Sequence, residues 1–274
     1  MSTSKVQRYL DEHPDTKAAI TSVLLNEPAV SGDDLVDKHM VPMVAALFEQ
    51  ITAEVSPATL SKEQAALYIL ELSVFARHNS DFLRRAADTV QGGCMELAHE
   101  LRRNHLEEGG ERGKVPAHYT LYSGALLSDV GLLVNGHVPA AETVTLVSLH
   151  DWLVTGSSTS RICGGYYATE GVAIDETVLL RKITDRYADL ALGEDAELPQ
   201  LNYYYSLHLD EDHEAAAVKG LSVEAAHIEG IARFIREHQL FGLDLPQIVD
   251  GWLQILEGMT FWWSQLAARV AALP

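Results

Sequence analysis

Helical periodicity runs through nearly all of this 274-residue chain, and the strict alternation of a half-buried strand is hard to find anywhere in it. That pattern confines the chain to helix-on-helix packing and predicts an all-α fold. Residues 1–28 read as an N-terminal helical arm, loosely attached, and 29–274 as a single helical-bundle domain. Ser31-Gly32-Asp33-Asp34 opens a helix that runs to about Val55. Ser61-Lys62-Glu63-Gln64 is a capping box and starts another, ending near His78. Asn79-Ser80-Asp81 reads as a further start, and Gly109-Gly110 as its stop. Helices are then expected over 116–135, 139–156, 158–171, 175–192, 199–219, 222–238 and 246–272, with Gly171 marking a break. The count is seven to ten, joined by short links.

Charge narrows the partners. The chain has 20 basic and 39 acidic residues, a net charge of −19, which disfavours nucleic acid and anionic membrane surfaces. No stretch is long and apolar enough for a membrane span, and the N-terminal MSTSKVQRYLDEHPD has no apolar core of a secretory signal. The two cysteines, Cys94 and Cys163, fit neither a zinc spacing nor a disulfide framework. A cytoplasmic protein acting on a small molecule is the expectation, with Cys163 a buried apolar residue rather than a nucleophile.

The residues that carry chemistry are carboxylates and imidazoles spread over successive helices. Glu108 ends one helix, and His118 begins the next across a Gly-rich turn. Glu170 lies in Gly164-Gly165-Tyr166-Tyr167-Ala168-Thr169-Glu170, among small, aromatic and apolar neighbours, where a lone acid is costly to bury unless it is paired or binds a metal. His208 and Asp212 are four residues apart on one helix face, and His213 follows. Such residues converging inside a bundle are how proteins hold a pair of iron or manganese ions. A competing set exists. Glu96-x-x-His99 and Glu224-x-x-His227, with Glu71 and Glu170, mimic a ferritin-like dimetal site. Trp252, Phe261, Trp262 and Trp263 on the last helix read as core packing or an oligomer contact.

The segments 104–118, 166–171 and 208–212 resemble the heme-oxygenase-like diiron oxidases and oxygenases, whose fold also houses TenA-type and PqqC-type enzymes. The resemblance covers roughly residues 60–240 and implies a heme-oxygenase-like bundle of about seven core helices. Its pattern is a Glu, a His some six to nine residues on, a second Glu one or two helices later, and then His-x3-Asp-x2-His. Glu108 and His118 match the first pair, Glu170 the bridging carboxylate, and His208 and Asp212 the start of the last motif. The final His falls at position 215, which is Ala215, so either His213 serves through a local distortion or the second metal position is incomplete. The resemblance implies two Fe(II) ions, with Mn as the alternative, and O2 as co-substrate. It implies oxidation of a small amine or amino-acid-derived substrate, by N-oxygenation or C–C cleavage, in specialised metabolism. An electron donor and a homodimeric state belong to the same expectation, as do Tyr119, Tyr167 or Tyr204 behind the ligands. The alternatives are a metal-independent TenA- or PqqC-like enzyme using the same residues for acid–base work, and a non-catalytic helical scaffold.

Overall fold

The computed structural model describes residues 3–27, 30–110, 116–210 and 220–273, and among them every regular element is a helix. In chain order these are α1 (Lys5–Glu12), α2 (Pro14–Leu24), α3 (Gly32–Asp34), α4 (Val41–Val55), α5 (Lys62–Val90), α6 (Met95–Glu108), α7 (His118–Val130), α8 (Ala141–Gly156), α9 (Thr159–Leu192), α10 (Pro199–Leu209), α11 (Val223–Arg236) and α12 (Leu245–Ala271). A π-helical turn, Leu35–Met40, joins α3 to α4 without a break. Pro42 follows it and has no N–H to give, so the wider turn sets in where the α-helical ladder would lose a bond.

Two long helices, α9 and α12, form the spine. They approach closely because glycines face backbone across the seam. A Cβ on Gly164 would lie 1.8 Å from the Ile248 carbonyl oxygen, and one on Gly251 would lie 2.2 Å from that of Arg161. The remaining helices wrap this pair. Trp252, Trp262 and Trp263 are buried in the core, while Phe261 is exposed. The tryptophan stripe of α12 is therefore core packing. The N-terminal segment also contributes: Val6, Tyr9, Ile20 and Val23 are buried in the same core cluster.

The Ser61 box forms as its sequence predicts, with Gln64 N–H donating to Ser61 Oγ (3.3 Å) and Ser61 N–H to Gln64 Oε1 (3.0 Å). Two expected breaks do not occur. Helix α5 continues through Asn79-Ser80-Asp81, with the Ser80 and Asp81 side chains engaged in other contacts. Ser80 Oγ lies 2.9 Å from His105 Nδ1 on α6, and Asp81 pairs with Arg84. The chain turns instead at Gln91-Gly92-Gly93-Cys94. Helix α9 runs through Gly171 for 34 residues, since a single glycine only weakens a helix whose flanks are packed. No described helix is long and apolar enough to cross a membrane.

Candidate metal centre

Five helices deliver acids and imidazoles to one buried point. Glu108 is the last residue of α6 and His118 the first of α7; Glu170 is in mid-α9, His208 near the end of α10, and Glu224 and His227 in the first turns of α11. An acid in the last turn of a helix sits against the unfavourable end of the macrodipole, so Glu107 and Glu108 need compensation from elsewhere. The imidazoles supply it. His118 Nδ1 lies 3.3 Å from Glu108 Oε1, His208 Nδ1 2.6 Å from Glu224 Oε1, and His227 Nε2 2.6 Å from Glu107 Oε2. His227 turns its other nitrogen, Nδ1, toward Glu170 Oε2 at 3.5 Å.

Five of the six residues are buried, Glu108 is half-buried, and they lie next to one another. Glu170, Glu224 and His227 each offer one ligand atom, and these lie within 4.8 Å of one another. The His118 and His208 rings meet edge to face with centroids 4.7 Å apart, and Tyr204 packs on His208 at 4.4 Å. Four buried atoms of the cluster have no hydrogen-bond partner among the described residues: Glu170 Oε1, His118 Nδ1, His208 Nε2 and His227 Nδ1. Buried polar atoms are normally satisfied; here Glu170 Oε1 and His208 Nε2 make no hydrogen bond, and His118 Nδ1 and His227 Nδ1 have only a long carboxylate contact each, which calls for a further group in the cluster.

The charge state of the bare cluster follows from the same geometry. Burial opposes the charge on Glu108, but His118 outweighs it, with His208 and His227 behind, and holds the carboxyl down at about 2. Burial lifts Glu170; His227 pulls it back, but Glu224 and Glu108 repel it, and the result is raised. His227 is raised well above an ordinary imidazole, because Glu107 and Glu170 overcome its burial. His118 is raised too, with Glu108 outweighing desolvation. Without metal, protons on His118 and His227 offset charge on the carboxylates.

Four of the six expected ligands can be placed. Glu108, His118, Glu170 and His208 come together. Asp212 and His213 lie outside the described residues, as does Ala215. Glu224 and His227 occupy the cluster beside His208, and they carry the acid-x2-His spacing that ends the expected motif. The other half of the ferritin-like set does not join. Glu96 and His99 are exposed on α6, and Glu71 binds His137 Nε2 (2.8 Å) and the Ala140 N–H (3.1 Å), tying the α7–α8 connection to α5. Glu107 was not anticipated; only its place beside Glu108 pointed to it. Of the three tyrosines, Tyr204 packs on a cluster imidazole, and Tyr119 lines the adjoining cavity while its hydroxyl donates to Asn135. Tyr167 is buried among the charges of Arg236, Glu229 and Asp37 instead. Cys163 is buried, and burial pushes its thiol far up, so it is no nucleophile.

A cavity of about 100 Å³ opens beside the cluster. Leu72, Phe75 and Ala76 of α5 and Leu180 of α9 form its apolar side, and Tyr122, Tyr204 and the cluster residues line the rest.

The fold is that of heme-oxygenase-like proteins. A crystal structure of a CADD-like protein of unknown function from Nostoc punctiforme PCC 73102 superposes with a TM-score of 0.62 at 23% identity, over 84% of this chain and 96% of that one. A second structure of that protein gives 0.65 at 22%, over 94% and 99%. A domain of unknown function with a heme oxygenase-like fold from Shewanella denitrificans OS217 gives 0.60 at 16%, over 89% and 93%. No curated protein matches the chain. Residues 38–269 match the family described as a domain of unknown function with a solved structure, DUF3865, and the chain belongs to that family.

Proposed function

We propose that the protein is a non-heme dimetal oxidase or oxygenase, using two iron ions, or manganese in their place, to activate O2 for oxidation of a small amine or amino-acid-derived substrate. The observation that carries this reading is that Glu170, Glu224 and His227 offer converging ligand atoms beside Glu108, His118 and His208, and that four ligand atoms of these residues make no hydrogen bond among the described residues. Three carboxylates offset most of the charge of two divalent ions, and mixed oxygen and imidazole donors suit iron and manganese. Glu170, Glu224 and His227 would hold one ion, and Glu108, His118 and His208 the other, with Glu170 between them. When bound, the pair supplies electrons to O2 and a Lewis-acidic centre.

The chain's own residues do the rest. Glu107 accepts from His227 Nε2, which fixes that ring and leaves Nδ1 free as a ligand atom. Tyr204 and the edge-to-face contact between His118 and His208 hold those two rings. The apolar cavity walls keep bulk water from the reacting site. N-oxygenation and oxidative C–C cleavage both fit this arrangement, and either requires an electron donor when the metals must be re-reduced. A metal-independent acid–base enzyme is the second reading, favoured by the carboxylate–imidazole pairs Glu107–His227 and Glu224–His208.

Anaerobic titration of metal-free protein with Fe(II), followed by a pulse of O2 watched in the visible region, separates the two. The proposal expects about two irons per chain and a transient absorbance. Absence of tight iron binding moves the acid–base enzyme to first place.

A further inference from the structure

The cavity holds one acid that the metal cluster does not use. Glu176 lies six residues beyond Glu170 on α9, about 9 Å further along the helix axis at 1.5 Å per residue. Its Oε1 accepts a hydrogen bond from the Trp263 indole N–H at 3.0 Å. Trp263 is itself buried and packed against Phe48, Tyr68 and Trp262, so the carboxyl is held by a rigid partner. No Lys or Arg lines the cavity among the described residues, and no cation lies within ion-pair distance of Glu176 there. Burial lifts its carboxyl to about 7, against the pull of the Trp263 hydrogen bond. An acid on the wall of a cavity, with one neutral donor and no counter-charge paired to it, is an incomplete site.

We propose that Glu176 is the anchor for the ammonium group of a short aliphatic amine substrate, whose chain runs from Glu176 toward the Glu170 cluster. A cation completes the carboxylate, and the cavity lining offers no Lys or Arg, while its imidazoles, His118 and His208, face Glu108 and Glu224 instead. Leu72, Phe75 and Leu180 suit a methylene chain. The volume of about 100 Å³ is less than that of the roughly 150 Å³ apolar cavity that admits benzene, which sets the length at about four or five carbons. The offset of about 9 Å between the two acids keeps the anchored nitrogen away from the cluster and brings the far end of the chain to it. Resting on the dimetal reading, this favours oxidation at carbon over N-oxygenation.

The test uses redox-inert probes on metal-free protein, so it stands or falls separately from iron binding. n-Butylammonium and the near-isosteric n-butanol are titrated by calorimetry at pH 8 against wild type, E176Q and E170Q. Wild type is expected to bind the amine at least about tenfold more tightly than the alcohol, a difference of about 1.4 kcal/mol. E176Q, whose amide oxygen still accepts from Trp263, is expected to lose that preference while binding the alcohol as before. E170Q is expected to keep it, which separates Glu176 from the acids of the cluster. Equal binding of amine and alcohol by wild type overturns the proposal without any variant. So does an amine preference that survives in E176Q or vanishes in E170Q.

Discussion

Replacing Gly164 by alanine should damage the protein out of proportion to one methyl group. The added Cβ would lie 1.8 Å from the Ile248 carbonyl oxygen, 2.7 Å from its carbonyl carbon and 3.0 Å from its Cα. All three are backbone atoms of α12, so no rotamer change relieves them. The helices must separate by at least about 1.2 Å to bring the closest contact to 3.0 Å, below which real Cβ atoms essentially never come. Overpacking of this kind costs about 1–3 kcal/mol where side chains can yield, and a backbone clash belongs at the upper end. Opening the seam by 1 Å forfeits up to about half of the dispersion energy of the atoms facing it. Alanine's better helix propensity returns about 1 kcal/mol. The net expectation is a loss of about 3 kcal/mol, a fall in Tm of roughly 6 °C for a chain of this size. Scanning calorimetry reads it, with Gly171→Ala as the control. Nothing lies within 4 Å of a Cβ at Gly171, so that variant should gain about 0.5–1 kcal/mol from propensity alone. A Gly164→Ala protein that melts at or above wild type would refute the close seam, and with it the placement of Glu170 on a spine set by backbone contact.

Other predictions are briefer. His150 is buried between Phe75 and Phe82, and burial lowers its pKa from 6.5 to about 4. The unfolded chain binds a proton between those values and the folded one does not, so stability is full above pH 6.5 and declines toward pH 4 by about 3 kcal/mol. His150→Leu should flatten that part of the wild-type profile in urea titrations at successive pH values; an unchanged slope argues against a neutral buried ring. Glu71→Ala removes the acceptor for His137 and the Ala140 N–H and should cost about 2–4 kcal/mol in urea unfolding, yet leave iron stoichiometry untouched. Loss of iron in that variant would restore the ferritin-like assignment. Ser61→Ala should cost about 1 kcal/mol through the lost cap, measured as a shift in the urea midpoint.

Much of the fold was legible because local signals agreed with the packing. The Ser61 box, the Gly109-Gly110 stop and Pro199 at the first position of α10 each mark a boundary the structure keeps. The errors share a cause. Asn79-Ser80-Asp81 looks like a helix start, yet Ser80 and Asp81 spend their polar groups on His105 and Arg84 while the helix continues, and nothing local distinguishes the two uses. In the site, Glu108, His118, Glu170 and His208 were readable from residue type and from the family pattern. Asp212 and His213, expected at the contiguous spacing after His208, lie outside the described residues. Glu224 and His227 have an acid-x2-His spacing to each other but stand on the next described helix, so only the tertiary fold brings them beside His208. The accidental frequency of acid-x2-His pairs hid them among neighbours such as Glu96 and His99, which the structure leaves exposed.

The central claim is that Glu108, His118, Glu170, His208, Glu224 and His227 form one two-metal site. Anomalous diffraction at the iron edge, from crystals soaked anaerobically in Fe(II), tests it most directly. The account predicts two peaks within about 4 Å of each other, the spacing usual for two-metal sites, enclosed by those six side chains. No iron there, or iron held instead by Glu96 and His99, would contradict it.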